Sequence, residues 1–314
     1  MEQPVTLRFL QYKAIRSDLR ESSVEILDRA VGWFVAVLGD LDVGEIAYTH
    51  IDDFRKWLLN GRSPRSANCY LAMMKSFFNW LARRRYIVCS PFEGIQPYKT
   101  NEKRFEIYSH EEIRRIYGVA SEPWKSIVSL ALCSMRVSEI LNLCVSDIDF
   151  ANNRIKITPK KDTAETWRWD IKNYREAYVG LDESVTKLLI LRCEDLKKMP
   201  YVNLKPLYWE RNLRKRDEGC LRQRQRNNPW GNFNRDWKSL LHRASVKPKR
   251  FHDLRSVFAT ERLNEGYDIK ELQYLMRHSS IQTTAIYLRN IEEQRLCARS
   301  GETFAKHYAT FNVP

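Results

Sequence analysis

Residues 251–288 of the chain read FHDLRSVFATERLNEGYDIKELQYLMRHSSIQTTAIYL, and this stretch decides the predicted fold class. Apolar residues recur in it at intervals of three and four, which is the spacing of one helix face. The pattern predicts one helix over 251–263 with Gly266 as its stop, a second over 269–276 and a third over 281–288 after a serine cap. This part of the chain is therefore predicted to be helical.

The first 95 residues show the same helical periodicity. A capping-box pattern begins at Ser22 ahead of one helix. A later, long helix begins at Ser63-Pro64, which supplies an N-cap and a first-turn proline. We therefore predict an all-helical domain over 1–95, followed by a polar segment without periodicity, 96–108, as a linker.

A second domain is predicted over 109–290, and it opens with a capping box at Ser109. Residues that favour β-structure recur in it between polar turns, which predicts a small antiparallel sheet. The predicted strands are 154–158, 166–171 and 177–179. The expected fold class is mainly α with a small antiparallel β-sheet, and residues 291–314 form a carboxyl-terminal tail.

Composition and charge bound the function. The 314 residues carry a formal net charge of +14, which favours a polyanion as partner. A hydrophobic fraction of 43% with 11 glycines and 11 prolines excludes collagenous and wholly disordered chains. No apolar run reaches the roughly 18 residues of a membrane span, and the start lacks a secretory signal. The expected location is therefore the cytosol.

The seven cysteines are scattered and form no CxxC pair. This spacing suggests neither a disulfide framework nor a zinc site. We therefore predict reduced, mostly buried thiols and no metal or other cofactor.

Six residues in a fixed order could carry phosphoryl-transfer chemistry. They are Arg136, Lys160, His252, Arg255, His278 and Tyr287. A phosphodiester under attack gathers charge on its nonbridging oxygens, and the guanidiniums of Arg136 and Arg255 could hold them with forked hydrogen bonds. Such fixed cations stabilise the transition state without a metal ion. A phenol has a pKa of about 10, so Tyr287 is a useful nucleophile only where its proton is drawn off beside positive charge.

Three segments resemble motifs of the tyrosine site-specific recombinases, also called phage integrases. They are ALCSMRVSEILNL at 131–143, FHDLRS at 251–256 and LMRHSSIQTTAIY at 275–287. The resemblance implies that Tyr287 attacks the scissile phosphate, forms a link to the 3′ end of DNA and releases a 5′ hydroxyl. It implies that a lysine in a β-turn protonates the leaving oxygen. Counting residues from the first arginine motif to this lysine without a gap favours Lys160 over Lys161.

The resemblance also assigns supporting roles. His252 would assist proton transfer, and His278 would bond the phosphate or orient its neighbours. Glu139 matches a family acidic position that supports the site, although a surface carboxylate on the helix is an alternative interpretation. Tyr287 also has an alternative interpretation as an ordinary core tyrosine.

The resemblance implies a helical core-binding domain and a catalytic domain that close as a C-shaped clamp on double-stranded DNA with inverted half-sites. The expected assembly is a homotetramer on DNA and a monomer or dimer when free of DNA. The expected location is the nucleoid, and accessory factors are possible partners. The tail 291–314 would dock on a neighbouring protomer or pack on its own domain. Candidate DNA contacts, which a solvated helix face explains equally well, are Arg62, Arg65, Arg83, Arg84, Arg85 and Arg277.

Two of the motifs depart from the family pattern. The family commonly has Thr-Gly before the first arginine, where this chain has Ser134-Met135, and Gly before the second histidine, where it has Arg277. Neither change removes a catalytic group. Arg277 places a bulky cation beside the site, so either its side chain points to DNA or the local turn differs.

Three other functions remain open from the sequence. A type IB topoisomerase uses the same tyrosine chemistry without pairing two sites. A noncatalytic DNA-binding protein could keep the fold. A basic helical protein that associates with RNA would account for the charge alone.

Overall fold

The computed structural model of the chain describes residues 3–16, 21–100, 106–161, 163, 168–171, 176–197 and 232–288. Contacts between Cα atoms divide the chain into two compact units, Met1–Lys103 and Arg104–Pro314. Each unit encloses a hydrophobic core of its own. The described residues are mainly helical with one small antiparallel sheet, which confirms the predicted fold class. The predicted tail, 291–314, lies outside the described residues.

Helices make up the amino-terminal unit. They are α1 (Val5–Ile15), α2 (Glu21–Leu38), α3 (Tyr48–Leu59) and α4 (Pro64–Arg83). α4 begins as predicted, because Ser63 Oγ accepts a hydrogen bond from Ser66 N and Pro64 occupies the first turn. The prediction that Ser22 caps α2 is wrong, since the helix already includes Glu21.

The core of the amino-terminal unit is rich in aromatic rings. Phe34 and Phe78 are fully buried, and Phe34 packs edge-on against Phe54 with ring centroids 5.1 Å apart. One apolar face of α4 is buried throughout: Leu71, Met74, Phe77, Phe78 and Leu81. This helix is therefore the centre of the unit.

Both ends of the predicted linker, 96–108, are tied to a core. The Asn68 side chain donates to Tyr98 O and accepts from Tyr98 N, both at 2.8 Å. Tyr108 is buried in the core of the carboxyl-terminal unit. Residues 101–105 lie outside the described residues.

The carboxyl-terminal unit contains the other described helices. They are α5 (His110–Val119), α6 (Trp124–Leu132), α7 (Val137–Leu141), α8 (Glu183–Lys197), α9 (Phe233–Arg243), α10 (Asp253–Asn264), α11 (Ile269–Leu275) and α12 (residues 281–288). Trp237 and Phe251 meet edge-on at 5.2 Å within its core. Gly266, predicted as the stop of α10, has φ +98°, a conformation that favours glycine.

The sheet contains β1 (Ile148–Asp149), β2 (Arg154–Ile157) and β3 (Ala177–Gly180), in the order β1-β2-β3 with antiparallel pairing. The register places Ile155 opposite Val179, and both are buried. The predicted strand 166–171 is wrong for its described part, 168–171, because the pairing there is a single bridge between Lys160 and Trp169. Residues 166 and 167 lie outside the described residues.

Cys69, Cys89 and Cys133 are free cysteines. Cys144 and Cys193 are buried, whereas Cys69 and Cys89 are exposed, so the prediction of mostly buried thiols fails in the amino-terminal unit. Among the described helices, none combines the length and apolar character needed to cross a membrane.

Candidate active site

The carboxyl-terminal ends of α6 and α11 supply the backbone of the site. After α6, Ser134 has φ +68° and Met135 N donates to Leu130 O at 3.0 Å. After α11, Arg277 has φ +53° and His278 N donates to Gln273 O at 3.0 Å. Both ends are therefore Schellman caps, in which glycine usually takes the left-handed position. Free carbonyls at such helix ends attract cations.

Arg255 and Arg136 converge on these carbonyls. Arg255, which is 1% exposed, donates to Ser134 O and, at 2.6 Å, to Met276 O. Arg136 stands at the N-cap of α7 and donates from Nη2 to Met276 O at 3.2 Å and to Arg277 O at 2.7 Å. The two predicted arginines therefore lie side by side and share one acceptor.

Glu139 is the carboxylate of this cluster, and its side chain is 2% exposed. Its oxygens accept from Arg136 Nη1 at 2.7 Å, from Arg136 N at 2.8 Å and from Arg277 Nη2 at 2.8 Å. Burial by itself raises the pKa of Glu139, but the charges of Arg277 and Arg136 outweigh burial and lower it. Glu139 is therefore an ionised, buried group, and its interpretation as a surface carboxylate is wrong.

His278 joins the arginines to Tyr287. Its Nε2 lies 3.5 Å from Arg255 Nη2, and its Nδ1 lies 2.9 Å from Thr284 Oγ1. A guanidinium has only donors, so the ring proton belongs on Nδ1, toward Thr284. Sequence reasoning missed Thr284, which is fully buried one helical turn before Tyr287. The spacing of three residues on a helix was the signal that could have found it.

Tyr287 lies on α12 with its ring stacked on His278, the centroids 6.3 Å apart and the planes 15° apart. It is 7% exposed and packs in a small apolar cluster with Leu263, Leu272 and Met276. Burial, and next the charge of Arg136, lower the pKa of Arg255, and a negative charge on Tyr287 opposes that shift, so the two side chains interact electrostatically. The residue is therefore both a packed side chain and a neighbour of the cationic cluster.

His252 immediately precedes α10, three residues before Arg255. The removal of water from around the imidazole, and next the charge of Arg255, lower the pKa of His252 to about 4. Part of the residue is nevertheless exposed. The imidazole is therefore neutral at neutral pH and can accept a proton.

Lys160 has a different set of contacts. Its Nζ donates to Asp147 Oδ1 and lies 3.4 Å from Thr158 Oγ1. The two charged side chains are only 11% and 9% exposed, respectively. Lys161 is exposed. The side chain of Lys160 thus contacts residues just before β1 and just after β2 rather than the arginines.

Asp147 was missed by sequence reasoning. Besides Lys160, it accepts a hydrogen bond from Cys144 N at 2.8 Å, which fixes the carboxylate at the end of a short 3₁₀ turn. An acidic residue just before β1 was the available signal. Its relevance depends on the turn that brings Lys160 back beside it.

The predicted DNA-contact arginines differ in their surroundings. Arg277 does not point outward: its four terminal N–H groups go to Ser134 Oγ, Ser134 O, Leu275 O and Glu139. In the amino-terminal unit, the Arg62 guanidinium lies over the rings of Trp33 and Trp57, at 3.9 and 4.5 Å. Of the other predicted contacts in that unit, Arg65, Arg83, Arg84 and Arg85 are exposed.

The buried cluster has an excess of positive charge. Arg136, Arg255 and Arg277 surround the single carboxylate of Glu139. Burial, and next the charge of Arg136, lower the pKa of Arg255, which marks the cost of holding like charges together. An anion would offset that cost, so the cluster is suited to bind one. In the ranges that the structure describes, no group of three His, Cys, Asp or Glu side chains is placed to hold a metal ion.

Comparison with known proteins identifies relatives along most of the chain. A tyrosine recombinase from Pseudothermotoga lettingae is 24% identical over 272 residues, covering 82% of this chain and 83% of the relative. The tyrosine recombinase XerC of Oceanobacillus iheyensis is 26% identical over 296 residues, covering 89% of each.

Solved structures share the fold. The Tn1549 transposon integrase in complex with transposon right end DNA has a TM-score of 0.70 at 17% identity, covering 94% of this chain and 100% of that chain. A lambda integrase tetramer bound to a Holliday junction has a TM-score of 0.66 at 14% identity, covering 91% of this chain and 77% of that chain.

The family model described as the phage integrase family matches residues 106–294, more than half of the chain. Its match includes all the residues of the buried cluster. This chain therefore belongs to the phage integrase family and is a tyrosine recombinase, an enzyme that cleaves and rejoins DNA strands.

Proposed function

We propose that this enzyme recombines two cognate DNA sites through a covalent 3′-phosphotyrosyl intermediate on Tyr287, without a metal ion. The observation that carries the proposal is the convergence of Arg136 and Arg255 on the carbonyl of Met276. Two planar guanidiniums held side by side match the nonbridging oxygens of one phosphate.

Phosphate binding is the first step of this mechanism. In the described structure, Arg255 Nε is buried and has no hydrogen-bond partner. A buried donor of this kind is costly unless a ligand satisfies it. The scissile phosphate would supply an acceptor for this donor, and its negative charge would offset the excess of positive charge around Glu139.

Tyr287 supplies the nucleophile. Its oxygen attacks phosphorus, so one P–O bond to the phenol forms while the bond from phosphorus to the 5′ oxygen breaks. The phenolic proton leaves to His252, which is neutral at neutral pH because burial and the charge of Arg255 lower its pKa. The negative charge of a bound phosphate would raise that pKa again and make the imidazole a stronger base. Arg255 stabilises both the phenolate and the charge that develops on the phosphoryl oxygens.

Lys160 supplies the proton for the leaving 5′ oxygen. Because the phosphodiester is conserved as a phosphotyrosine ester, the free 5′ hydroxyl of a second strand reverses the step by attacking the same phosphorus. No external energy source is needed, and fixed cations supply the charge stabilisation that a metal ion would otherwise provide.

Strand exchange requires two sites and several protomers. The Tn1549 integrase binds transposon end DNA, and lambda integrase forms a tetramer on a Holliday junction. We infer a homotetramer on inverted half-sites of double-stranded DNA for this chain as well. Its net charge of +14 suits a polyanionic partner.

The experiment is a cleavage assay with EDTA present. Purified protein is incubated with labelled DNA from its own genomic neighbourhood, carried on nicked suicide substrates, and the products are separated on denaturing gels. We expect a protein-linked band that disappears in Tyr287→Phe. Tyr274→Phe is the matched control, because Tyr274 is 84% exposed on α11.

Two outcomes contradict the proposal. An adduct that persists in Tyr287→Phe would assign the chemistry to another residue. Relaxation of supercoiled plasmid without recombinant products, in a reaction with two cognate sites, would favour topoisomerase activity over recombination.

A further inference from the structure

We propose that Arg277 is a positioning residue of the active site, which occupies one oxygen of Glu139 and so leaves the charge of Arg136 available to the phosphate. The inference rests on the proposed function and adds a third arginine to the two that hold the phosphate. Arg277 occupies the position where the family commonly has glycine.

The hydrogen bonds of Arg277 show that it organises the site rather than gripping a ligand. Its Nη2 donates to Glu139 Oε2 at 2.8 Å and to Ser134 O at 2.6 Å. Its Nη1 donates to Ser134 Oγ at 3.2 Å and to Leu275 O at 3.1 Å. Both Nη groups are thus used within the protein, whereas Nε is buried without a hydrogen-bond partner. The side chain is 11% exposed. One guanidinium joins the cap of α6, the carboxylate on α7 and the end of α11.

Charge explains why this arrangement bears on the reaction. Glu139 accepts from Arg136 through Oε1 and from Arg277 through Oε2. Without Arg277, Arg136 would be the guanidinium that still forms a hydrogen-bonded ion pair with Glu139, and it would carry more of the balance of that negative charge. Arg136 would then offer little net charge to an anion. With Arg277 present, one carboxylate is shared by two guanidiniums, and the cluster keeps an excess of positive charge.

Backbone conformation gives independent support. Arg277 has φ +53° and Ser134 has φ +68°. Such left-handed positions favour glycine, and other residues persist there only when their surroundings stabilise them. The two unusual residues contact each other directly. The hydrogen bonds of the Arg277 side chain therefore offset the cost of its left-handed backbone conformation.

The test measures single-turnover formation of the covalent complex on nicked suicide DNA, with half-site binding measured in parallel. We expect Arg277→Met to lower the cleavage rate by about 10- to 100-fold, on the scale of losing one preorganised charge, while binding changes by less than about twofold. Arg277→Gly relieves the left-handed backbone but also removes the side chain, so it should cleave as slowly as Arg277→Met. Arg114→Met is the matched control, because Arg114 forms an exposed ion pair with Glu111.

A double-mutant cycle separates charge sharing from simple packing. If Arg277 acts by balancing Glu139, adding Glu139→Gln to Arg277→Met should restore about tenfold of the lost rate. If the role of Arg277 were purely structural, the losses of cleavage rate in Arg277→Met and Glu139→Gln would add in the double variant. A double variant slower than either single variant would therefore overturn the proposal.

A second readout does not depend on cleavage. Inorganic phosphate should raise the melting temperature of the wild type by binding the cluster. It should bind about tenfold more weakly to Arg277→Met, with recovery in the double variant. Equal stabilisation of Arg277→Met and wild type by phosphate would overturn the inference. Absence of a Tyr287-dependent adduct in the wild type would instead overturn the proposed function.

Discussion

At the scale of single residues, the two adjacent lysines of the β-turn have different surroundings. Lys160 is held beside Asp147 and Thr158, whereas Lys161 is exposed. A general acid needs a fixed position, so we expect Lys160→Ala to slow cleavage by about 10²- to 10⁴-fold. A substrate with a better 5′ leaving group, such as a bridging sulfur, should recover most of that rate because it needs no proton.

Lys161→Ala is the control for this comparison and should cleave both substrates at the wild-type rate. The same pattern of loss and rescue in Lys161→Ala, with Lys160→Ala unaffected, would assign the acid to the neighbouring residue. Single-turnover rates on the two substrates distinguish these outcomes.

The buried hydroxyl of Thr284 offers a second prediction at this scale. Thr284 Oγ1 lies 2.9 Å from His278 Nδ1 and holds the ring parallel to Tyr287. Thr284→Val keeps the shape of the side chain but removes this partner, so we expect cleavage about tenfold slower with half-site binding unchanged. Thr283→Val, on the exposed side of the same helix, is the matched control. A wild-type rate in Thr284→Val would show that the contact does not orient the imidazole.

At the scale of elements, the start of α5 is joined to the segment before α10 by a partly buried ion pair. Lys249 Nζ lies 2.8 and 2.7 Å from the two oxygens of Glu112, which also caps Ser109 N. Burial raises the pKa of Glu112, but the hydrogen bond from Lys249 and the capping bonds outweigh it and lower the pKa. Removing the carboxylate would leave Lys249 mostly buried without its partner. We therefore expect Glu112→Gln to lower the free energy of unfolding by about 2 kcal/mol.

The pH dependence of this pair has a definite sign. A carboxylate with a lowered pKa stabilises the fold above its unfolded pKa, and the effect is lost as pH falls through its folded pKa. The difference between wild type and Glu112→Gln in urea unfolding should therefore be full at pH 7 and shrink below about pH 4. Glu111→Gln, which alters an exposed ion pair with Arg114, should change the free energy of unfolding neither at pH 7 nor in acid. A difference that persists unchanged in acid would contradict the ion-pair account.

The elements also show which structural features the sequence can predict. Ser63 and Pro64 lie next to the helix that they begin, so the start of α4 was predictable from a local signal. β1 has only two residues, too few for an alternating pattern, and its role follows from pairing with β2. The bond between Arg277 and Ser134 joins residues far apart in sequence. Only the folded chain shows it.

The same limit applies to the site. The order of arginines, histidines and tyrosine predicted which residue types would carry the chemistry, but not which way each side chain faces. Arg277 is the clearest case, since its sequence position allowed either an outward contact or a changed turn. The structure shows a left-handed turn together with an inward side chain.

At the scale of the whole molecule, the net charge of +14 predicts DNA binding that weakens steeply with salt. Each arginine that neutralises a phosphate contributes about one to the slope of log affinity against log salt concentration. Arg84 is exposed at the end of α4, so we expect Arg84→Ala to reduce the slope by about one for every DNA sequence tested, with unchanged thermal stability.

Arg62 differs from Arg84 because its guanidinium packs over Trp33 and Trp57. Arg62→Ala should therefore lower the free energy of unfolding by about 1 kcal/mol, the scale of a cation–π contact that is partly desolvated. Fluorescence anisotropy at several salt concentrations, with thermal unfolding of the same samples, separates the two effects. An unchanged salt slope in Arg84→Ala would make that residue a solvated side chain at a helix end, and the positive charge that binds DNA would then have to lie elsewhere on the chain.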